Sequence, residues 1–432
     1  MRRFLLYISL LLSVFLAASC IEREDFVTDF ETGLSRLPGV VSVAKEDPGT
    51  FKARYKVFFE QPLDHDNPSS GKFRQLVYVM LNHPDSVNVL VTEGYYAFDA
   101  AKVQELVPMF GANQIVVEHR YYGESAVNDP SCKYMDAEGS CDDLHNVVTA
   151  LKTLLGGKWI STGVSKSGMT SLMYRAWYPD DVDVTVPYGT PLCNERYDKR
   201  FARAFEESIG TPEDREKVTA FMRELLRRRD VMAPKFDSLA MAQNVTLPLP
   251  AQWMWDLHVI DWQGCMWLFG LPLDEIPPLD SSDNDMFNYI TGIDGPDAWD
   301  RNNDVNKYYI QAYRELGHYA CATAGIEDLL VIDRAVLDDF LRYVYVPDGV
   351  EEDFSTAIYE RVDAFLRGTD AKCMFIYGGY DPWMYVGIGE EYANGDNILR
   401  FEKPGGFHHT VISDFDDATR REIGRRLRDW LK

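Results

Sequence analysis

Along residues 53–60, Ala-Arg-Tyr-Lys-Val-Phe-Phe-Glu, apolar and polar positions alternate with the period of two that a half-buried strand requires. Gln75–Leu81 reads as a second strand. Asn88–Val91 and Gln114–Val117 are short β-branched runs of the kind buried on both faces in a mostly parallel sheet. Over Cys141–Leu155 the period changes to that of a helix, with Leu144, Val147, Val148, Leu151 and Leu155 on one face. Lys158–Thr162 is again strand-like, Ser167–Tyr178 helical and Asp183–Pro187 strand-like. Strands alternating with helices predict an α/β sheet.

The rhythm stops after about residue 190. Pro212–Arg229 has the pattern of a charged amphipathic helix, and Val336–Tyr345 of another; between them lie Trp253, Trp255, Trp262, Trp267 and Trp299. Sheet-like pattern resumes at Lys372–Tyr377 and Ile398–Phe401, and Thr419–Leu431 reads as a closing helix. The expected organisation is a leader over 1–19 and one α/β domain in two parts, 20–190 and 351–432. A mainly helical insertion over 191–350 separates the parts. Two sequential domains are the alternative, excluded only if the late segment supplies chemistry to the early one.

Arg2 and Arg3 precede the apolar run Phe4–Ala18, which is short for a bilayer span and has the shape of a signal peptide. It ends in Leu16-Ala17-Ala18-Ser19-Cys20, which resembles a bacterial lipobox; the alternative is an ordinary secretory signal with a chance Cys. The expectation is export, with Cys20 lipidated and the protein held in the periplasm, outer membrane or cell surface by that anchor alone. The acidic stretch Glu22-Arg23-Glu24-Asp25 resembles a surface-export tag of some lipoproteins. An even six cysteines then remain, and Cys132 and Cys141, flanking a short Asp/Gly-containing loop, are the expected disulfide. The 44 basic against 68 acidic residues give a formal charge of −24, which argues against nucleic acid as a partner. No Cys/His spacing fits a zinc site, and Asp300-x-Asn302-x-Asp304 lacks the glycine and distal glutamate of a calcium loop, so neither metal nor cofactor is expected.

The chemistry begins at Gly163-Val164-Ser165-Lys166-Ser167-Gly168, between a predicted strand and a predicted helix. A strained strand-to-helix turn of this kind presents a nucleophilic serine, and it needs small flanking residues. Ser165 is preferred, because Ser167 falls inside the predicted helix. A serine needs a base, and the base a carboxylate to orient it. Asp381 follows the strand Lys372–Tyr377, and the pair His408-His409 sits in a Gly-rich loop after the next strand. The order Ser, Asp, His and the strand-end placement match an α/β-hydrolase. Local pattern does not choose between His408 and His409.

Glu118–Ser125 (Glu-His-Arg-Tyr-Tyr-Gly-Glu-Ser), the Gly163–Gly168 turn, Asp381-Pro382-Trp383 and Gly406–His409 together resemble the proline-specific serine exopeptidases. That group includes lysosomal Pro-Xaa carboxypeptidase, dipeptidyl peptidase II and secreted bacterial tripeptidyl/prolyl aminopeptidases. Phe58–Asn67 and Gln311–Tyr319 are similar to further segments of the same group, so the resemblance runs from about residue 55 to 410. It implies an α/β-hydrolase fold with a helical cap, and its base matches the first histidine, His408. The Ser-Lys turn departs from the eukaryotic members and is closer to the bacterial aminopeptidases. The Lys166 backbone N–H would then serve the oxyanion hole, leaving its side chain for another role. The second donor is expected from Gly94 or Tyr95, after an early strand. Glu315 matches a cap glutamate of the group and is the first candidate for the substrate ammonium, Glu93 the second. Trp383 and Tyr309 are candidates for the walls of a proline pocket. The implied function is an exported serine peptidase releasing short peptides from the N-terminus of proline-containing oligopeptides. The alternatives are a carboxypeptidase or esterase on the same triad, or an inactive scaffold that binds peptide or glycan.

Overall fold

The computed structural model describes residues 26–348 and 353–432. The expected leader and the lipidated Cys20 lie outside the described residues. The strands are β1 (Val40–Glu46), β2 (Ala53–Pro62), β3 (Lys72–Leu81), β4 (Asn88–Thr92), β5 (Asn113–Val117), β6 (Trp159–Val164), β7 (Val184–Tyr188), β8 (Tyr197–Asp198), β9 (His318–Tyr319), β10 (Lys372–Gly378) and β11 (Ile398–Lys403). Nine of them form one sheet in the order β1-β2-β3-β5-β4-β6-β7-β10-β11. Its first three neighbour pairs are antiparallel and the other five parallel. This is an α/β-hydrolase sheet with β1 added at one edge. The sequence pattern missed β1, whose side chains are all at least partly exposed, so that no apolar alternation marks it.

β4 and β5 are buried at every position, as their unbroken β-branched runs require. Alternate side chains divide between two cores. Val77, Val79, Leu90 and Ile115 meet α1 (Ala137–Leu151) and α2 (Lys166–Trp177) on one face. Met80, Val89, Val91 and Val116 face the other side with Ile423 and Leu427 of the C-terminal helix Asp417–Trp430.

β7 and β10 are hydrogen-bonded neighbours, although the segment between them contributes no strand to this sheet and holds only the separate two-stranded pair β8 and β9. That segment is mainly helical. It contains α3 (Pro212–Arg227), α4 (Arg229–Ala242), α5 (Ala251–Phe269) and α6 (Asp283–Ile293). α3 opens on a reciprocal capping box between Thr211 and Asp214 with Pro212 in the first turn. α5 ends at Gly270 in the left-handed region. Phe221, Phe236, Trp255 and Trp262 pack the helices together and join them to the core beneath. α5 escaped the sequence pattern because apolar residues surround it on all sides, leaving no stripe to detect.

All six cysteines among the described residues are free thiols, which corrects the expected Cys132–Cys141 bridge. The helix turns Cys141 into the main core, whereas Cys132 sits in a left-handed turn within a separate aromatic cluster. Proximity in sequence did not bring the two side chains together.

Candidate active site

Ser165 follows the central strand β6 and caps α2, with φ 59° and ψ −124°, a backbone conformation rarely taken by a residue with a side chain. The turn holds because its surroundings fix it. The Ser165 N–H donates to the Tyr188 carbonyl at 2.9 Å, and its own carbonyl accepts the first bond of α2 from Met169. A Cβ on Gly163 would lie 2.5 Å from the Ser167 backbone, and one on Gly168 would lie 2.1 Å from Thr190 Oγ1, so both positions demand glycine. Ser165 remains partly exposed in a cavity of about 470 Å³ between the sheet and the helical segment. Ser167 is buried and committed: its hydroxyl accepts the Gly94 N–H at 3.0 Å and donates to Glu93 Oε2 at 3.2 Å.

Asp381 and His408 follow β10 and β11, at the same carboxyl end of the parallel strands as Ser165. His408 Nδ1 lies 2.8 Å from Asp381 Oδ2, both side chains being buried. The carboxylate is always an acceptor, so Nδ1 carries the proton and Nε2 is left as the basic nitrogen. The other Asp381 oxygen accepts the Trp383 N–H at 2.9 Å. The His408 backbone N–H donates to Leu268 of α5, tying the loop to the helical segment. Gly189 packs so closely that a Cβ there would lie 3.1 Å from His408 Nδ1. His409 is exposed and stacks on Phe269 at the cavity wall. The structure therefore brings His408 and not His409 to the aspartate.

The oxyanion candidates separate. The first amides of a helix have no intrahelical acceptor, which leaves Lys166 N–H available beside Ser165. Gly94 is corrected: its N–H is consumed by Ser167 Oγ. Tyr95 N–H has no protein acceptor among the described residues and is the remaining donor of that loop. Glu93 does line the cavity. Burial, with Asp99 adding to it, pushes its carboxyl up to about 8 against the hydrogen bonds from Asp99 N–H and Ser167. Glu315 does not line the cavity, which corrects its assignment. Its Oε1 accepts from Ala137 N–H and from Gln311 Nε2, both at 2.9 Å, so it serves the start of α1. Tyr309 and Trp383 both line the cavity. Tyr309 stacks on Tyr345 with ring centres 3.8 Å apart, and Trp383 leans on Phe201 at 4.9 Å.

Sequence reasoning missed Asp261, Asp294 and Cys265, which share the same cavity. One ligand atom from each falls within 4.8 Å of the others. Tyr319 donates its hydroxyl to Asp261 Oδ1 at 2.5 Å. No Lys or Arg pairs with Asp261 among the described residues, whereas Asp256, one turn earlier on α5, is neutralised by Arg229. Burial raises the Asp261 carboxyl, and burial, Asp261 and Asp297 push that of Asp294 up to about 7. Two carboxylates and a thiol so placed suit a cation. The signal in the sequence for Asp261 was its place in a largely apolar helix; what separates it from Asp256 in the same helix is that Arg229 pairs only with the latter.

The Glu118–Ser125 motif is scaffold. Arg120 is buried, holds Asp143 through two 2.8 Å hydrogen bonds and also reaches the carbonyls of Leu63 and Tyr134. His65 Nε2 meets the same Asp143 at 2.8 Å, so the Phe58–Asn67 segment is tied into the same network.

The profile of the S37 peptidases, PS-10 peptidase, matches residues 24–431. The chain belongs to the S37 peptidase family. It is a serine peptidase acting on peptides, on an α/β-hydrolase fold. This S37 peptidase is 26% identical to a prolyl tri/tetrapeptidyl aminopeptidase of Streptomyces mobaraensis over 99% of the chain and 91% of the relative. A Caenorhabditis elegans protein named as a serine protease shares 27% identity over 35% of the chain and 33% of its own length. Among solved structures, a proline iminopeptidase from Mycobacterium smegmatis aligns with a TM-score of 0.42 and 13% identity, over 87% of this chain and 98% of that one.

Proposed function

We propose that this S37 peptidase is an aminopeptidase that releases short peptides from the free N-terminus of oligopeptides, preferring proline beside the scissile bond. The observation that carries the reading is the His408–Asp381 pair opening into one cavity with the strained Ser165 and an uncompensated acidic pair. In this reading Ser165 Oγ attacks the scissile carbonyl while its proton passes to His408 Nε2. The tetrahedral intermediate collapses by breaking the C–N bond, and His408 returns the proton to the leaving amine. Water, deprotonated by His408, then hydrolyses the acyl-enzyme. Asp381 orients the imidazole and stabilises its cationic form. Lys166 and Tyr95 N–H groups receive the oxyanion. Asp261 and Asp294 hold the substrate ammonium, and the Tyr309 and Trp383 rings offer flat walls to a proline. Kinship with a prolyl tri/tetrapeptidyl aminopeptidase supports the same substrate end.

A fluorophosphonate probe and a matched peptide pair test this. The wild type should be labelled and Ser165→Ala should not. Free-amino Xaa-Xaa-Pro substrates should be cleaved and their N-acetyl forms refused. Equal cleavage of both forms would overturn the aminopeptidase reading, and absence of labelling would overturn the hydrolase reading. We also propose export and lipid attachment at Cys20; metabolic labelling with a radioactive fatty acid, lost in Cys20→Ala, tests it.

A further inference from the structure

Lys166 is 2% exposed and has no carboxylate within salt-bridge reach among the described residues. Its ammonium donates instead to the Gly94 carbonyl at 2.6 Å. Three tyrosine rings surround it, Tyr95 at 4.9 Å, Tyr122 at 5.1 Å and Tyr308 at 5.7 Å from the nitrogen. Burying a lysine in this way is costly unless the charge has a use, and aromatic faces compensate it only in part. The carbonyl it binds belongs to the Gly94–Tyr95 peptide, whose other end is the Tyr95 N–H. The preceding peptide, Glu93–Gly94, is fixed as well, because its N–H donates to Ser167 Oγ, itself bonded to Glu93. The packing leaves no slack: a Cβ on residue 94 would lie 2.8 Å from Lys166 Cγ.

A peptide group is a conjugated unit. A cation at its oxygen draws electron density from its nitrogen and makes the N–H a stronger donor. We propose that Lys166 is a positioning residue for the oxyanion hole, its ammonium orienting and polarising the Gly94–Tyr95 peptide while its own main-chain N–H supplies the other donor. Both halves of the hole then pass through one residue. Ser167, where a glycine is usual, holds the same loop by a second bond. The proposal rests on the reading of Ser165 as the nucleophile.

The groups facing the ammonium are the rings of Tyr95, Tyr122 and Tyr308, with Glu315, Cys132 and the buried His119 at longer range. Burial pulls Lys166 down to about 7, while Glu315 and Cys132 oppose the shift. The charge is therefore present below that pH and lost above it.

The test uses Lys166→Met, which keeps the length of the side chain without its charge, and a free-amino peptidyl prolineboronate, which forms a tetrahedral adduct on the serine. Folding is checked by the melting temperature and active sites are counted by fluorophosphonate. The expected result is a fall in kcat of roughly ten-fold or more with KM changed less than about two-fold. The boronate inhibition constant should rise by the factor by which kcat/KM falls, and the alkaline limb of kcat near Lys166's own titration should disappear. Unchanged kcat in folded Lys166→Met would overturn the proposal. So would a loss of kcat with boronate affinity intact, which marks a merely structural role. If Lys166→Met does not fold, the wild type decides: boronate affinity must weaken as pH rises past the lysine's titration, and a flat profile would overturn it. A wild type that fluorophosphonate never labels would instead remove the underlying reading.

Discussion

Two adjacent histidines illustrate how burial and a partner separate like side chains at the scale of single residues. His408 and His409 are the same chemistry one peptide apart, yet one is buried against Asp381 and the other is exposed on Phe269. His408→Ala should lower kcat/KM by roughly 10⁴-fold or more, while His409→Ala should cost less than about ten-fold; parallel steady-state assays check this. The acidic pair gives a second prediction. Asp261→Asn should raise KM for free-amino substrates by roughly ten- to a hundred-fold, the worth of a charged hydrogen bond, with kcat little affected. The pH dependence follows from the raised carboxyls. As pH falls through the Asp294 value of about 7 they protonate, so KM in the wild type should rise on the acid side. Initial-rate measurements from pH 5.5 to 8.5 read the slope, and a KM that falls on acidification would remove the pair from ammonium binding.

Single elements carry a different kind of demand. The turn between β6 and α2 holds its strain because Gly163 and Gly168 let backbone and Thr190 come close. The Arg120 knot joins the loop after β5, the carbonyl of Leu63 after β2 and helix α1. Both side chains of its ion pair are 1% exposed. Asp143→Ala leaves a buried guanidinium without its carboxylate and should destabilise the protein by about 3–5 kcal/mol, measured by chemical denaturation. The motif around Arg120 was visible in the sequence, but its role was not. A short run of Glu, His, Arg and Tyr is compatible with catalysis or scaffolding, and only the location of its partners distinguishes them. The same holds for Glu315, which the family resemblance placed at the substrate and the fold placed beneath α1.

Across the whole molecule, buried ionisable groups set the response to pH. Glu93 has its carboxyl raised to about 8 in the folded chain, chiefly by burial. A raised carboxyl contributes stability that is complete below its unfolded value near 4.5 and is lost as pH rises through about 8. Asp294 and Glu315, both near 7, act in the same direction. Lys166, pulled down to about 7, acts in the opposite direction, adding stability as pH rises above its folded value. Burial also pulls down His119, His258 and His318, which act in the same direction as the lysine below their unfolded value near 6.5. The clean readout is therefore the difference between wild type and Glu93→Gln: the melting temperature of the wild type relative to the variant should fall as pH rises from about 5 to about 8.5, and scanning calorimetry at both pH values checks it. A difference that grows in favour of the wild type over this range would contradict the raised Glu93 carboxyl.

The sequence by itself determined the alternation of strands and helices, the order in which Ser165, Asp381 and His408 follow their strands and the helical stretch between the early strands and the late ones. These are local properties, written in period-two and period-3.6 patterns and in glycine-rich turns. Tertiary structure alone decided the rest. It chose His408 over His409, kept Cys132 and Cys141 apart, gave the Gly94 amide to Ser167 and brought Asp261 and Asp294 from two helical elements to one cavity. Those outcomes depend on which side chains meet once the intervening chain has packed, 27 residues apart for His408 and Asp381 and 73 for Gly94 and Ser167. No spacing along the chain encodes that meeting, because burial, partner and cavity are properties of the assembled core.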